Sequence, residues 1–143
     1  MAMVDVAWQA ALAVDEAGDN DVSFVVPAGE EWQVLWVWAE YTSDVTVGNR
    51  QLVVEAQDSG SDVIGWLAQA RATQAASLTR YYLCAPGVAD DTSFGGNGSD
   101  YLQTNMPTAV LSAGETLRVY DAAGVSGSDS SVFQVRYMRR VVG

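Results

Sequence analysis

Residues 25–41 read VVPAGEEWQVLWVWAEY, and an echo, AVLSAGETLRVYDAA, stands at residues 109–123. Each stretch sets an apolar pair before Ala-Gly-Glu and then continues as an apolar and aromatic run. Glycine reaches positive φ without steric cost, and in the first copy proline fixes φ as well, so both copies predict a tight turn that leads into a strand.

The strand after the first turn, residues 31–41, is apolar on both faces. Successive side chains in a strand point to opposite sides of the sheet. Strict alternation places Leu35, Val37 and Ala39 on one face and Trp32, Val34, Trp36 and Trp38 on the other. We therefore expect this strand to be covered on two sides.

Before and after these turns, the chain contains further short segments in which apolar and polar residues alternate. Strands are expected at 22–26, 50–57, 101–104, 116–121 and a last segment around Phe133, Val135 and Tyr137. The stretch 63–85 is ambiguous, because its Ala and Gln content favours a helix while its alternation favours strands at 63–72 and 75–85. About eight strands in two similar groups predict an all-β, antiparallel β-sandwich of jelly-roll type. If the two turns have no common origin, this fold class is unchanged.

The N-terminal segment has a different pattern. Residues 4–17, VDVAWQAALAVDEA, place apolar side chains three and four positions apart, which predicts a short amphipathic helix ending near Gly18. The predicted organisation is an N-terminal helix or arm over residues 1–21 and a jelly-roll domain over residues 22–143.

The charge of the chain is one-sided. Eighteen Asp and Glu face seven basic residues, all of them Arg, for a net charge of −11. Such a chain is repelled by phosphates, so nucleic acid is not an expected partner. The longest apolar stretch, residues 34–39, is far shorter than the ~20 residues of a membrane span, so no membrane is expected. No basic segment precedes an apolar one at the N-terminus, so we expect a protein used without secretory export.

The sequence lacks the residue types that most catalytic sites need. The chain has no His, which removes imidazole-based triads and HExxH metal helices. The adjacent pairs Glu30–Glu31 and Asp90–Asp91 make poor acid and base couples, because neighbours in a strand diverge. Oxygen-rich loops at 19–21 and 90–100 lack the EF-hand spacing and are better explained as solvated turns. Cys84, the single cysteine, is expected to be buried and inert. We predict no enzyme, no cofactor and no metal site.

Four stretches carry a resemblance to a known group of proteins: PAGEEWQVLWVWAEY (27–41), VGNRQLVVEAQD (47–58), AASLTRYYLCAPG (75–87) and AGETLRVYDAA (113–123). Together they resemble small virion structural proteins of tailed bacteriophages, over residues 22–142. The resemblance implies a jelly-roll subunit made in the host cytoplasm and placed on the capsid surface, where the major capsid protein is its partner. It implies a head decoration or cement protein, with a neck or tail component as the alternative, and it carries over no catalytic residues.

Aromatic and basic side chains are the candidates for the subunit or capsid interface. Five Trp and six Tyr exceed what core filling requires. The expected interface residues are Trp32, Trp36, Trp38, Tyr41, Arg136, Arg139 and Arg140, and a homotrimer is the expected assembly. Three alternatives stay open: Trp36 and Trp38 lie inside the sandwich, the arginines pair with carboxylates of the same chain, or exposed rings stack on sugars in a carbohydrate-binding host-attachment module.

Overall fold

A computed structural model describes residues 8–15, 21–95 and 100–142. This part of the chain is all-β, with no helix, and so no helix in it is long and apolar enough to cross a membrane. The strands are β1 (Gln9–Asp15), β2 (Asp21–Val25), β3 (Glu30–Thr42), β4 (Leu52–Gln57), β5 (Val63–Gln69), β6 (Thr79–Ala85), β7 (Tyr101–Asn105), β8 (Ala109–Ser112), β9 (Thr116–Asp121) and β10 (Ser130–Val141).

The strands form two sheets. The six-stranded sheet has the order β1-β10-β3-β6-β7, with β8 also paired to β3, and the four-stranded sheet has the order β2-β9-β4-β5. Every pairing is antiparallel except that of β6 with β7, which is parallel. The chain crosses repeatedly between the sheets, and both contribute side chains to one core. The architecture is a β-sandwich, as predicted.

The core consists of the inward-facing side chains of alternating strands. From the four-stranded sheet come Val22, Phe24, Leu52, Val54, Leu117 and Val119, and from the six-stranded sheet come Val34, Val37, Ala39, Tyr82, Leu102, Phe133 and Val135. Except in β4, where Val53 and Glu55 on the opposite face are buried as well, these strands have a polar or partly exposed opposite face. The period-two pattern of the sequence is therefore sufficient to separate core from surface over most of the fold.

The helix predicted for the N-terminal segment is wrong over residues 9–15. These residues form β1, which pairs antiparallel with β10 from Gln9 opposite Arg139 to Asp15 opposite Phe133. A short apolar run cannot be assigned by periodicity alone, and a short helix is marginal without tertiary support. Pairing with the backbone of β10 therefore decides its conformation. The rest of the predicted arm, residues 1–7 and 16–20, lies outside the described residues.

Both Ala-Gly-Glu segments are the tight turns that the sequence predicts. The N–H of Glu30 donates to the carbonyl of Pro27 at 3.2 Å, and the N–H of Glu115 donates to the carbonyl of Ser112 at 3.0 Å. Gly29 and Gly114 have φ of 77° and 85°. The first turn carries the chain from the four-stranded to the six-stranded sheet and the second carries it back, so both serve the same role in the fold.

Replacing Gly29 or Gly114 by alanine is expected to lower the free energy of unfolding by about 1–2 kcal/mol each, because an L-residue is strained at these φ values. Space is not the cause, since an added Cβ would meet its nearest atom at 3.8 Å or 3.6 Å. Urea unfolding measures the change. Gly127, which has an ordinary φ and open surroundings, is the control, and its replacement by alanine should cost nothing. Equal effects at Gly127 and Gly114 would contradict the strain explanation.

Strand β3 contains a β-bulge that changes which side chains face the core. Opposite β10, Val34 pairs with Tyr137 and Trp36 pairs with Arg136, so Leu35 is the extra residue. A bulge of this kind breaks the alternation of a strand. Trp32 therefore shares the core face with Val37, whereas strict alternation along the sequence predicts opposite faces for them.

Candidate interaction surface

Four aromatic side chains lie on the outer face of the six-stranded sheet. Trp36 and Trp38 alternate with the buried Val37 and Ala39 of β3, while Tyr81 precedes the buried Tyr82 of β6 and Tyr101 precedes the buried Leu102 of β7. We call this group, Trp36, Trp38, Tyr81 and Tyr101, the aromatic face. Its rings cross three neighbouring strands on the side of the sheet opposite the core.

Ring packing orders the aromatic face. The rings of Trp38 and Tyr81 have centroids 6.2 Å apart, and those of Tyr81 and Tyr101 are stacked at 4.8 Å with an angle of 20°. Sheet register explains this, because Tyr81 lies directly opposite Tyr101 in the parallel β6–β7 pair and Trp38 lies opposite Leu83, two residues further along β6. The rings are therefore held in place before any partner binds.

Part of this face remains in contact with solvent. Trp36 is 39% exposed and Tyr101 is 45% exposed, while Trp38 and Tyr81 are half-buried. The guanidinium of Arg136 lies over the Trp36 ring at 5.6 Å from its centroid, since the two residues are directly opposite in the β10–β3 pair. The result is an ordered aromatic surface with a cation at one end.

Two of the predicted interface residues lie in the core instead. Trp32 is 4% exposed and stacks on Tyr137 with ring centroids 3.9 Å apart. Tyr41 is 1% exposed, and its hydroxyl donates to Asp129 at 2.8 Å. Neither side chain reaches the surface of the chain, so only Trp36 and Trp38 of the predicted aromatic set lie on the aromatic face.

Arg139 and Arg140 form ion pairs within the chain. Arg139 lies 3.4 Å from Glu30, and Arg140 lies 2.8 Å from Glu31, both at the beginning of β3. The guanidinium of Arg140 also lies over Trp8 at 4.8 Å from the ring centroid. This is the internal pairing that the sequence left as an alternative, and it neutralises most of the basic cluster.

Two members of the aromatic face, Tyr81 and Tyr101, are not among the site residues that the sequence predicts. In β6, TRYYLCA (79–85), alternation places Tyr81 and Tyr82 on opposite faces of the sheet, so the outward direction of Tyr81 can be predicted from the sequence. The pairing of Tyr101 with Tyr81 could not be predicted. Parallel strands are joined by a long crossover connection, and no pattern in consecutive residues shows beside which strand the chain returns.

The acidic pairs that were considered for catalysis are engaged in hydrogen bonds and ion pairs. Of the two loops considered for metal binding, residues 19–20 and 96–99 lie outside the described residues. Glu30 and Glu31 bind different arginines, as above. The carboxylates of Asp90 and Asp91 accept the backbone N–H groups of Asn105 and Gln103 at 2.7 Å and 2.9 Å. In residues 8–15, 21–95 and 100–142, no group of three or more His, Cys, Asp or Glu side chains is arranged to hold a metal ion.

Cys84 is buried on β6 at 3% exposure. Burial, with a smaller contribution from Asp90, raises the pKa of its thiol to about 12. We therefore expect no labelling by a thiol reagent in the folded protein at pH 8.5, because the reactive thiolate is not formed. Complete labelling in denaturant is the control, and labelling of the folded protein at the rate of a free thiol would contradict the buried position.

Comparison with models of known protein families gives no match, and comparison with curated protein sequences gives none either. Two solved structures have low similarity. A chain described as "Structure of PfGH50B" is 9% identical with a TM-score of 0.34, over 97% of this chain and 23% of that one. A chain from the "Structure of infectious bursal disease virus Gx strain" is 10% identical with a TM-score of 0.32, over 94% and 37%. The present chain spans well under half of either, and TM-scores this low bear on neither fold nor function.

Proposed function

We propose that the chain is a structural protein of a bacteriophage virion, a non-enzymatic decoration or cement protein that binds the outside of the head as a homotrimer and stabilises it. The observation that carries the proposal is the aromatic face, which is an ordered and partly exposed surface. The four stretches of sequence that resemble phage virion proteins give the surface its biological setting.

The strand order supports a sandwich of the jelly-roll type. In a jelly roll of eight strands, the first, eighth, third and sixth strands form one sheet, and the second, seventh, fourth and fifth form the other. When β7 and β8 are treated as an insertion between the sixth and seventh strands, the sheets here are β1-β10-β3-β6 and β2-β9-β4-β5. This is the same order, and β1 supplies its first strand.

The aromatic face is proposed to pack against sister subunits of the trimer. A stable interface takes about 800 Å² from each partner, and an aromatic side chain can bury about 150–250 Å². The aromatic face can therefore supply the apolar centre of such a contact. Tyr81 is already stacked on Tyr101 and in contact with Trp38, and Arg136 lies over Trp36, so little side-chain freedom is lost on association.

The charge distribution fits a particle surface. Arginines pair with carboxylates of the same chain, as in Arg80 with Asp100 at 2.7 Å and Arg118 with Asp21 at 2.7 Å. The surplus of acidic residues is left to give the net charge of −11. A trimer with this charge repels DNA and other particles, which suits the outside of a head.

The proposed mechanism is stabilisation by mass action. A trimer that bridges neighbouring capsomers binds the assembled shell and not the separated capsid subunits, so its binding energy opposes shell opening. Three linked copies also bind with a higher effective concentration than one. No bond is made or broken, and no cofactor takes part.

Co-sedimentation with expanded phage heads, combined with light scattering of the free protein, tests the proposal. We expect a three-chain particle in solution that pellets with heads and raises the temperature at which they release DNA. A trimer that pellets only with tails would move the protein to the neck or tail. A monomer that pellets with neither would overturn the proposal.

A further inference from the structure

A groove opens at the side of the sandwich where the two sheets end. It lies between β5, the last strand of the four-stranded sheet, and β7, the last strand of the six-stranded sheet, with a volume of about 230 Å³. The polar and aromatic residues that line this edge groove are Trp66, Gln69, Arg71, Asp90, Thr104 and Asn105. The aromatic face lies on the outside of the six-stranded sheet, so the edge groove is a separate feature.

Thr104 is one of the residues that line the inner wall of the edge groove. In β7, Leu102 and Thr104 point inward while their neighbours point out, and Thr104 is only 3% exposed. Its Oγ1 is buried and has no hydrogen-bond partner within the described residues. A buried hydroxyl that is left unpaired costs free energy, so rotation of the Thr104 side chain toward a polar group bound in the edge groove would be favoured.

The rim of the edge groove carries an aromatic ring together with donors and acceptors of opposite charge. Trp66 is 53% exposed, so its ring is not part of the core. Arg71 and Asp90 face each other at 3.5 Å, with Arg71 62% exposed. Their charges balance, so the edge groove attracts neither anions nor cations strongly.

Hydrogen bonds to the backbone hold the polar rim in place. The carboxylate of Asp90 accepts the N–H of Asn105 at 2.7 Å, and the side-chain oxygen of Asn105 accepts the N–H of Gly87 at 3.1 Å. This orientation leaves the amide NH₂ of Asn105 as a donor beside the carboxylate acceptor of Asp90. Preformed groups of this kind recognise a ligand without reordering.

We propose that the edge groove binds a single neutral sugar ring, such as a terminal residue of a cell-surface glycan. Sugar hydroxyls both donate and accept, which matches the mixed set formed by Thr104, Asp90, Asn105 and Arg71. The C–H face of a sugar ring packs on an exposed aromatic ring, which Trp66 supplies. The volume suits one ring and not an extended chain. The site does not depend on the aromatic face or on trimer formation.

NMR titration of the ¹⁵N-labelled protein with glucose, galactose, mannose and N-acetylglucosamine tests this proposal. We expect shifts of the Trp66 indole and Thr104 amide signals with at least one sugar, at millimolar affinity. Thr104→Val should weaken that binding by about tenfold, because it removes one hydrogen bond inside the edge groove. The same variant should raise the melting temperature of the sugar-free protein, since the unpaired hydroxyl is gone.

Trp66→Ala should reduce binding at least as strongly, and Trp36→Ala on the aromatic face is the matched control that should leave it unchanged. Absence of shifts with every sugar in the panel overturns the proposal. Equal affinity of the Thr104→Val variant overturns it as well, because the hydroxyl then makes no contact with the sugar. A fall in the melting temperature of that variant also overturns it, because the hydroxyl then stabilises the fold.

Discussion

Replacing Asp129 by alanine is expected to lower the free energy of unfolding by about 3–5 kcal/mol, because it removes the buried bidentate partner of Arg50 and leaves the cation only the partly exposed carboxylate of Asp44, at 2.9 Å. Asp129 is fully buried and Arg50 is 2% exposed. Arg50 donates to both carboxylate oxygens of Asp129, from Nε at 2.9 Å and from one terminal nitrogen at 3.0 Å. This bidentate pair is inaccessible to water, so no solvent replaces the lost carboxylate.

The effect should be large because the same carboxylate organises one end of the sandwich. It also accepts the hydroxyl of Tyr41 and the backbone N–H of Asp44, both at 2.8 Å. Arg50 in turn donates to the carbonyls of Thr46 and Gly48. Hydrogen bonding to Asp129 raises the pKa of Arg50 in the native chain. In the variant that contribution is gone, but an arginine side chain keeps its proton in proteins, so the guanidinium cannot escape the penalty by becoming neutral.

Urea unfolding of Asp129→Ala measures this loss, with Arg71→Ala as the matched control. Arg71 is 62% exposed in its pair with Asp90, and a surface pair is worth about 0–1 kcal/mol. A loss below about 1 kcal/mol for Asp129→Ala, comparable to a surface pair, would mean that water reaches Arg50 and that the end of the sandwich is open.

The second large effect is expected on assembly. The double variant Trp36→Ser, Tyr101→Ser should weaken trimer formation by at least about 100-fold, since aromatic anchors at the centre of an interface often contribute about 2 kcal/mol or more each. Both side chains are more than a third exposed in the single chain. Folding should therefore be retained, and circular dichroism checks this. Sedimentation velocity over a range of concentrations measures the change in assembly.

Ile64→Ser is the control for the assembly experiment. Ile64 lies on β5 at the edge of the four-stranded sheet and is 53% exposed, so it has a similar apolar exposure on the other sheet. We expect it to leave the trimer intact. If Ile64→Ser dissociates the trimer and the double variant does not, the subunit contact is at the β5 edge and the assignment of the aromatic face is wrong.

The sequence was informative wherever local chemistry decides structure. Gly29 and Gly114 take the positive φ that the two Ala-Gly-Glu turns require, and strands were located correctly through most of the chain. The ambiguous stretch 63–85 resolves into β5 and β6, both shorter than predicted. In each case the feature depends on consecutive residues alone, either on a glycine in a turn or on the alternation of apolar and polar side chains in a strand.

Features that depend on distant partners were not predictable. Residues 9–15 form a strand because β10 offers an edge to pair with, and the bulge at Leu35 appears only in the register between β3 and β10. That bulge separates Trp32, in the core, from Trp36, on the surface. The pairing of Tyr101 with Tyr81 and the burial of the Thr104 hydroxyl likewise arise from the position of β7, which no local pattern reveals.

Quantitative mass spectrometry of purified virions, with heads and tails separated, tests the central claim most directly. A decoration protein of the head should be found in the head fraction, in a copy number comparable to that of the major capsid protein. Absence from virions, or presence in the tail fraction alone, would contradict the account.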